Sequence, residues 1–365
     1  MKFTIILFLL LFSLSIAKGQ DSTIISPFVH QDMTITFSYY SPEAKSVRLV
    51  WEHEKYSKIA PSDMFFQKGE QGWWKLTVPP MPPDVYLYAL MVNEIRQFDP
   101  LNPTYFYKDG RAFSLLTVPI FPTDTYHLPS KQDISGEIQN RTYFSKALND
   151  VKEVNIYVPN NQFLNKTLPI IYLLHDENQN GNFWFLYGRI QFLLDHLIAE
   201  GKIPPLIAIM PDTSLPKAEK KNQKTNKTPN IDFVKDIVLS LTPEIPTWYP
   251  TVSKKASIIG IGLGAEKAIQ LTLNYPEYFE FVGAFSGEVL SPKLIKEITQ
   301  NSKKTNLLLT ADALSGVQNP SLLHLQLQNS DIEHDNYQMK GINRNWVFWR
   351  HVLHDVFLPK VFAEK

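Results

Sequence analysis

The segment Ser257-Ile-Ile-Gly260-Ile-Gly262-Leu-Gly264-Ala265 sets three alternate glycines between an apolar run and a stretch of helical periodicity. A glycine turn from strand to helix serves two chemistries. It can lift a nucleophile over a sheet in a G-x-S-x-G elbow, or cradle a pyrophosphate on the helix N-terminus in a G-x-G-x-x-A fingerprint. The elbow needs a serine between the outer glycines, and Gly262 stands there with no side chain to attack anything. The fingerprint belongs to the first strand-to-helix turn of its domain, with an acidic residue about 20 positions on at the end of the second strand. At least three strands are read ahead of this turn, and Glu280 precedes its next strand instead of ending it, so nucleotide binding is not expected. His351 and His354, at i and i+3 on the last helical segment beside Asp355, lack a third ligand at a recognisable spacing. No metal or cofactor is expected.

The surrounding pattern supplies the elements that must hold such a turn. From about residue 133 onward, apolar runs near 152–159, 169–175, 205–211, 256–261, 281–286, 305–310 and 334–339 read as strands. Helical periodicity marks 188–200, 231–246, 264–274 and 346–357, which gives the βαβ alternation of a largely parallel sheet. Residues 24–119 read differently. Thr34-Ile-Thr-Phe-Ser-Tyr-Tyr40, Ser46-Val-Arg-Leu-Val-Trp51, Gly72-Trp-Trp-Lys-Leu-Thr-Val78 and Asp84-Val-Tyr-Leu-Tyr-Ala-Leu-Met-Val92 are short strands with turn punctuation, the spacing of an all-β sandwich. Residues 121–132, rich in Pro and Thr, read as a linker.

Several segments taken in order carry a family resemblance. They are Val154-Asn-Ile-Tyr-Val-Pro159, Leu168-Pro-Ile-Ile-Tyr-Leu-Leu-His175, Pro205-Leu-Ile-Ala-Ile-Met-Pro-Asp212, the glycine turn, Asn274-Tyr-Pro-Glu-Tyr-Phe279, Val282-Gly-Ala-Phe-Ser-Gly287 and Trp346-Val-Phe-Trp-Arg350. Residues 133–365 thereby resemble the esterase D type of α/β-hydrolase, the group of carbohydrate esterase family 1 (feruloyl and acetyl-xylan esterases) and enterochelin-esterase-like proteins. The β-rich residues 20–120, with Phe98-Asp-Pro-Leu-Asn-Pro103, resemble the early-set immunoglobulin-like modules related to carbohydrate-binding module 48. The implied fold is an α/β-hydrolase domain, a largely parallel sheet flanked by helices, preceded by an all-β immunoglobulin-like sandwich.

The resemblance also says where an ester hydrolase would keep its machinery: a nucleophile, a base, an acid that orients the base, and two backbone donors for the oxyanion. Gly262 takes the nucleophile position, and Leu263 supplies an amide where the family has an oxyanion donor. The family's His-Gly-Gly-type oxyanion loop is here His175-Asp-Glu-Asn-Gln-Asn-Gly181, where carboxylates such as Asp176 are expected to oppose a developing oxyanion. Aligning on Trp346 and Trp349 puts Arg344 in the base position. A guanidinium stays protonated and cannot accept a serine proton. Asp312 is the remnant acid candidate. The reading that follows is a pseudo-esterase that binds a glycan, an aryl ester or a partner protein in the old cleft. Arg344 is expected to pair with Asp176 or Glu177, or to grip a ligand carboxylate, and Trp51, Trp73 and Trp74 are the candidate sugar-binding residues of the sandwich. The alternative is an active carboxylic-ester hydrolase on polysaccharide or siderophore esters, with an unrecognised nucleophile sought first at Ser286.

At 365 residues the chain suits two domains and a leader. Lys2, the apolar run 3–16 and Ala17-Lys-Gly19 read as a signal peptide over 1–19, of roughly 14 apolar or small residues and so too short to span a membrane. The expected location is periplasmic or extracellular. The absence of cysteine excludes disulfides, thiolate chemistry and a lipid-anchoring cysteine. With 36 basic and 36 acidic residues there is no global field to draw nucleic acid or anionic membrane. The lysine-rich run 217–228 reads as a solvated loop, and sequons stand at Asn140, Asn165 and Asn226.

Overall fold

The computed structural model describes residues 24–52, 64–102, 104–108, 110–130, 134–177, 179–213, 229–301, 307–314 and 322–363. The expected signal peptide, the lysine-rich run and Asn226 lie outside them. The chain forms two compact units. One comprises Met1–Phe28, Ile35–Val78 and Tyr88–Ser114; the other takes Val29–Thr34, Pro79–Leu87 and Leu115–Lys365.

The sandwich strands are β1 (Phe28–Val29), β2 (Ile35–Tyr40), β3 (Val47–Trp51), β4 (Gln67–Lys68), β5 (Trp73–Val78), β6 (Asp84–Val92), β7 (Ile95–Gln97), β8 (Tyr105–Lys108) and β9 (Arg111–Val118). They form one sheet in the order β1-β2-β5-β4 and another in the order β3-β6-β9-β8, with β7 on β6. Period-two alternation along β5 turns Trp74, Leu76 and Val78 inward and Lys75 and Thr77 outward. Phe37 packs edge-on against Trp51 at 6.1 Å and Tyr88 at 5.0 Å. Behind them the fully buried Asp99 of the Asp-Pro-Leu-Asn-Pro turn accepts hydrogen bonds from Ser26 Oγ, Tyr88 Oη and the Leu101 N–H. Burial pushes its carboxyl above the usual range against the pull of those donors.

The second unit holds an eight-stranded sheet. Its strands are β10 (Glu137–Ser145), β11 (Asp150–Val158), β12 (Leu168–Leu174), β13 (Ile207–Pro211), β14 (Val252–Ile261), β15 (Phe279–Phe285), β16 (Leu307–Leu314) and β17 (Asp335–Lys340), in the order β10-β11-β13-β12-β14-β15-β16-β17. From β13 to β17 every neighbour is parallel, while β10 and β11 are antiparallel additions. Buried on both faces, β12, β13 and β15 are near-continuous apolar runs, and these were the strands easiest to see in the sequence. β10 is half exposed and polar, with no apolar run to mark it as a strand.

Two helical segments widen into π turns, Ile237–Leu241 and Val352–Phe357. Each π turn closes on the residue before a proline: the Thr242 N–H reaches Ile237 O before Pro243, and the Leu358 N–H reaches Leu353 O before Pro359. A proline ring crowds the carbonyl four residues back, and the wider turn relieves that clash.

One expectation is corrected here. The stretch read as a linker falls inside the second unit, which resumes at Leu115 and not at 133. Tyr126 is buried and stacks on His354 at 4.2 Å and 17°, so the Pro-rich segment is a docked strap.

Candidate functional site

The site grows from the carboxyl ends of parallel strands, where α/β sheets place their ligands. β14 ends at Ile261 and the next helix runs over Leu263–Asn274, so Gly262 alone makes the turn, at φ 54° and ψ −121°. That left-handed φ is strained for any residue with a side chain. The outer glycines are required by close approach: a Cβ at 260 would stand 2.0 Å from the Gly264 carbonyl oxygen, and one at 264 would stand 2.6 Å from that of Leu174. The turn is therefore as sharp as a nucleophile elbow, with glycine at its apex.

The space a side chain at 262 would take is filled. A Cβ there would lie 2.0 Å from Asp176 Oδ1. This oxygen accepts the Leu263 N–H at 2.9 Å and the Glu177 N–H at 2.7 Å. In an active elbow the amide after the nucleophile and an amide from a preceding strand-to-helix loop form the oxyanion hole. Here both donors converge on an internal carboxylate oxygen. Asp176, expected to oppose a developing oxyanion, thus holds both amides on its own carboxylate.

His175, buried at the end of β12, fixes this loop. The Thr213 N–H can only donate, and it meets His175 Nε2 at 2.8 Å, so the ring proton is on Nδ1, which donates to Asp176 O at 2.8 Å.

Arg344 does not pair with Asp176 or Glu177. Its Nε and Nη2 each donate at 2.7 Å to the two oxygens of Asp312, and its Nη1 lies 3.8 Å from Glu288. Asp312 is fully buried on β16, whereas Arg344 is 40% exposed. A planar guanidinium matches a carboxylate in this fork geometry, which explains why the acid captures it in preference to acids across the cleft. Asp312 and Arg344 are therefore joined as an ion pair.

Asp176, Glu177, Glu288, Arg344, Ser286 and Trp349 line a cleft of about 430 Å³ together with Gly262 and Leu263. Ser286, at φ 50°, accepts the Trp349 Nε1–H at 3.0 Å. Among the described residues no imidazole or carboxylate is hydrogen-bonded to its Oγ. Glu288 and the Ser286–Trp349 contact are not singled out from sequence; the available signal for Glu288 is its nearness to Phe285-Ser-Gly287, and the contact spans 63 residues.

The candidate sugar-binding tryptophans separate. Trp51 and Trp74 are each 6% exposed, and the Trp74 Nε1–H donates to Ser41 O, so both belong to the sandwich core. Trp73 is half-buried on the outer face, paired across the strands with Tyr40, their rings 5.1 Å apart.

Residues 145–306 match the esterase family described as "Putative esterase", and residues 27–103 match carbohydrate-binding module 48. The chain thus resembles an esterase-family domain preceded by a carbohydrate-binding module 48 domain. It is 27% identical over 280 residues to an endo-1,4-beta-xylanase/feruloyl esterase of Xylanibacter ruminicola, covering 74% of this chain and 37% of that protein. The chain thus spans little more than a third of that relative. Among solved structures, the enterobactin esterase of Shigella flexneri superposes with a TM-score of 0.58 at 17% identity, covering 91% of this chain and 93% of that one. The carbohydrate esterase family 1 ferulic acid esterase of Anaeromyces mucronatus gives 0.54 at 16%, over 66% and 96%. The esterase-domain fold is thereby established, with the sandwich ahead of it in sequence.

Proposed function

We propose that this protein is an exported, non-hydrolytic member of the esterase fold that binds a plant-type polysaccharide or its ester decorations. The observation that carries the reading is the Asp176 carboxylate: it accepts both amides that would stabilise an oxyanion and fills the room a serine at 262 would need. Arg344 adds a second support, because it holds Asp312 where a base would be held and can take no proton. Losing a serine nucleophile alone costs on the order of a million-fold in turnover.

Glycan binding draws on the module match and on the xylanase/feruloyl esterase relative, and the outward-facing Trp73–Tyr40 pair is the surface we assign to it. Export rests on the apolar leader with its small-residue end.

The test is multiple-turnover hydrolysis of methyl ferulate and short-chain nitrophenyl esters by repurified wild type, beside a pull-down on insoluble arabinoxylan. The reading predicts no turnover above buffer, with retention on the polysaccharide that Trp73→Ala abolishes. Sustained turnover that survives repurification overturns the non-hydrolytic assignment and moves the search to Ser286.

A further inference from the structure

β10 closes one end of the eight-stranded sheet, and its sequence does nothing to blunt that edge. Sheets commonly guard an outer strand with lysine, proline, a bulge or short length, because its outward N–H and C=O groups will pair with another strand. Glu137–Ser145 has nine residues, neither lysine nor proline, and an unbroken register from Glu137↔Val158 to Ser145↔Asp150. Among the described residues β11 is its only backbone partner. Glu137, Asn140, Arg141 and Thr142 are exposed.

The side chains along this edge carry a charge pattern. Glu137, Gln139 and Arg141 share one face of the strand. They are linked in series: Gln139 Nε2 donates to Glu137 Oε1 at 2.6 Å, and Arg141 Nη2 donates to Gln139 Oε1 at 3.0 Å. Acid and base thus stand two residues to either side of Gln139. A second copy related by a two-fold axis through Gln139 sets Glu137 against the partner's Arg141, and Arg141 against the partner's Glu137, in one antiparallel ladder. Unlike charges directly opposed stabilise such a pair, and like charges destabilise it. An axis through Arg141 would set arginine on arginine. An axis through Asn140 would set Glu137 against Tyr143 and Arg141 against Gln139, leaving both charges unmatched. The charges therefore select the register centred on Gln139.

We propose that two copies of this chain associate through antiparallel β10–β10 pairing centred on Gln139, which joins their sheets into one. A contact between two strands is at the small, weak end of protein interfaces, so the dimer forms reversibly as concentration rises. With the axis perpendicular to the sheet, the carboxyl ends of the parallel strands in the two copies point in opposite directions. The two clefts then open at opposite ends of the joined sheet.

This inference does not depend on what the cleft binds. Sedimentation velocity of the purified chain over a dilution series, with hydrogen exchange on the same samples, tests it. Wild type should pass from monomer to dimer as concentration rises, with exchange slowing within 137–141, a readout that needs no variant. Glu137→Arg and Arg141→Glu each oppose like charges twice, and each should weaken association roughly tenfold. Combining the two reversals should restore it. A monomer at every concentration, a dimer indifferent to either single reversal, or a double variant no better than the singles overturns the assignment. Edge amides protected only when arabinoxylan is added would overturn it too, by giving the edge to polysaccharide.

Discussion

Asp176 Oδ1 meets the Leu263 N–H at 2.9 Å, and the same oxygen meets the Glu177 N–H at 2.7 Å. A carboxylate charge thus lies at the start of the Leu263–Asn274 helix, against amides with no intrahelical partner. Asp176→Ala removes the shared acceptor and should cost about 1–3 kcal/mol in urea unfolding. It should also create a site for acetate, visible as perturbation of the Leu263 and Glu177 amide resonances that wild type does not show.

Gly262→Ser should fail by itself. The new Cβ meets Asp176 Oδ1 at 2.0 Å, and the backbone is already at a positive φ. In the Asp176→Ala background the same change has room, so a double-mutant cycle should show a coupling of about 1–3 kcal/mol in favour of the pair. Additive losses would mean that the carboxylate moves aside freely.

The Arg344–Asp312 pair should be a stability element. Arg344→Ala leaves a fully buried carboxylate without its fork and should cost about 2–4 kcal/mol, the usual range for stranding a buried charge trimmed for the exposed side of this pair. Arg344→Lys retains the charge and loses the two-pronged contact, so it should fall between. Thermal unfolding of the three proteins checks the order.

Lys267 sets a pH dependence whose sign can be worked out. Its ammonium is lowered to about 8 by burial, so above that pH the folded state binds fewer protons than the unfolded state. Stability attributable to this residue therefore rises with pH through the window from about 8 to 10.5. Compared with Lys267→Met, wild type should gain Tm over that window; a constant difference would show that the ammonium is not desolvated.

In the sandwich, Trp74→Ala should cost about 3–5 kcal/mol as a core truncation. Trp73→Ala should stay within about 1 kcal/mol while losing polysaccharide retention. Under the proposed function, adjacent positions on β5 would thus separate folding from binding.

Much of this was legible in the sequence for physical reasons. Apolar strands buried on both faces announce themselves, and the elbow glycines do so because close backbone approach admits nothing larger. Gly262 and Arg344 could be marked by residue type alone. Their partners could not, because the pairing of Arg344 depends on which carboxylate the fold brings into fork geometry. Sequence proximity offered Asp176 and Glu177 to the eye, and tertiary structure chose Asp312. Strand alternation already requires one of Trp73 and Trp74 to face inward, but which one, and that Trp51 is also inside, depends on a register that only the fold supplies. Tyr126 was hidden by proline-rich surroundings that look like a linker whether or not they dock.

The plug at the elbow also imposes a direction on the lineage. A Cβ at position 262 would meet Asp176 Oδ1 at 2.0 Å, so a serine there requires the carboxylate to move, and vacating 176 leaves the Leu263 and Glu177 amides without this acceptor. Each first step back is a loss. Under the proposed function the internal carboxylate would act as an evolutionary ratchet, holding a population that carries it away from hydrolysis through folding stability.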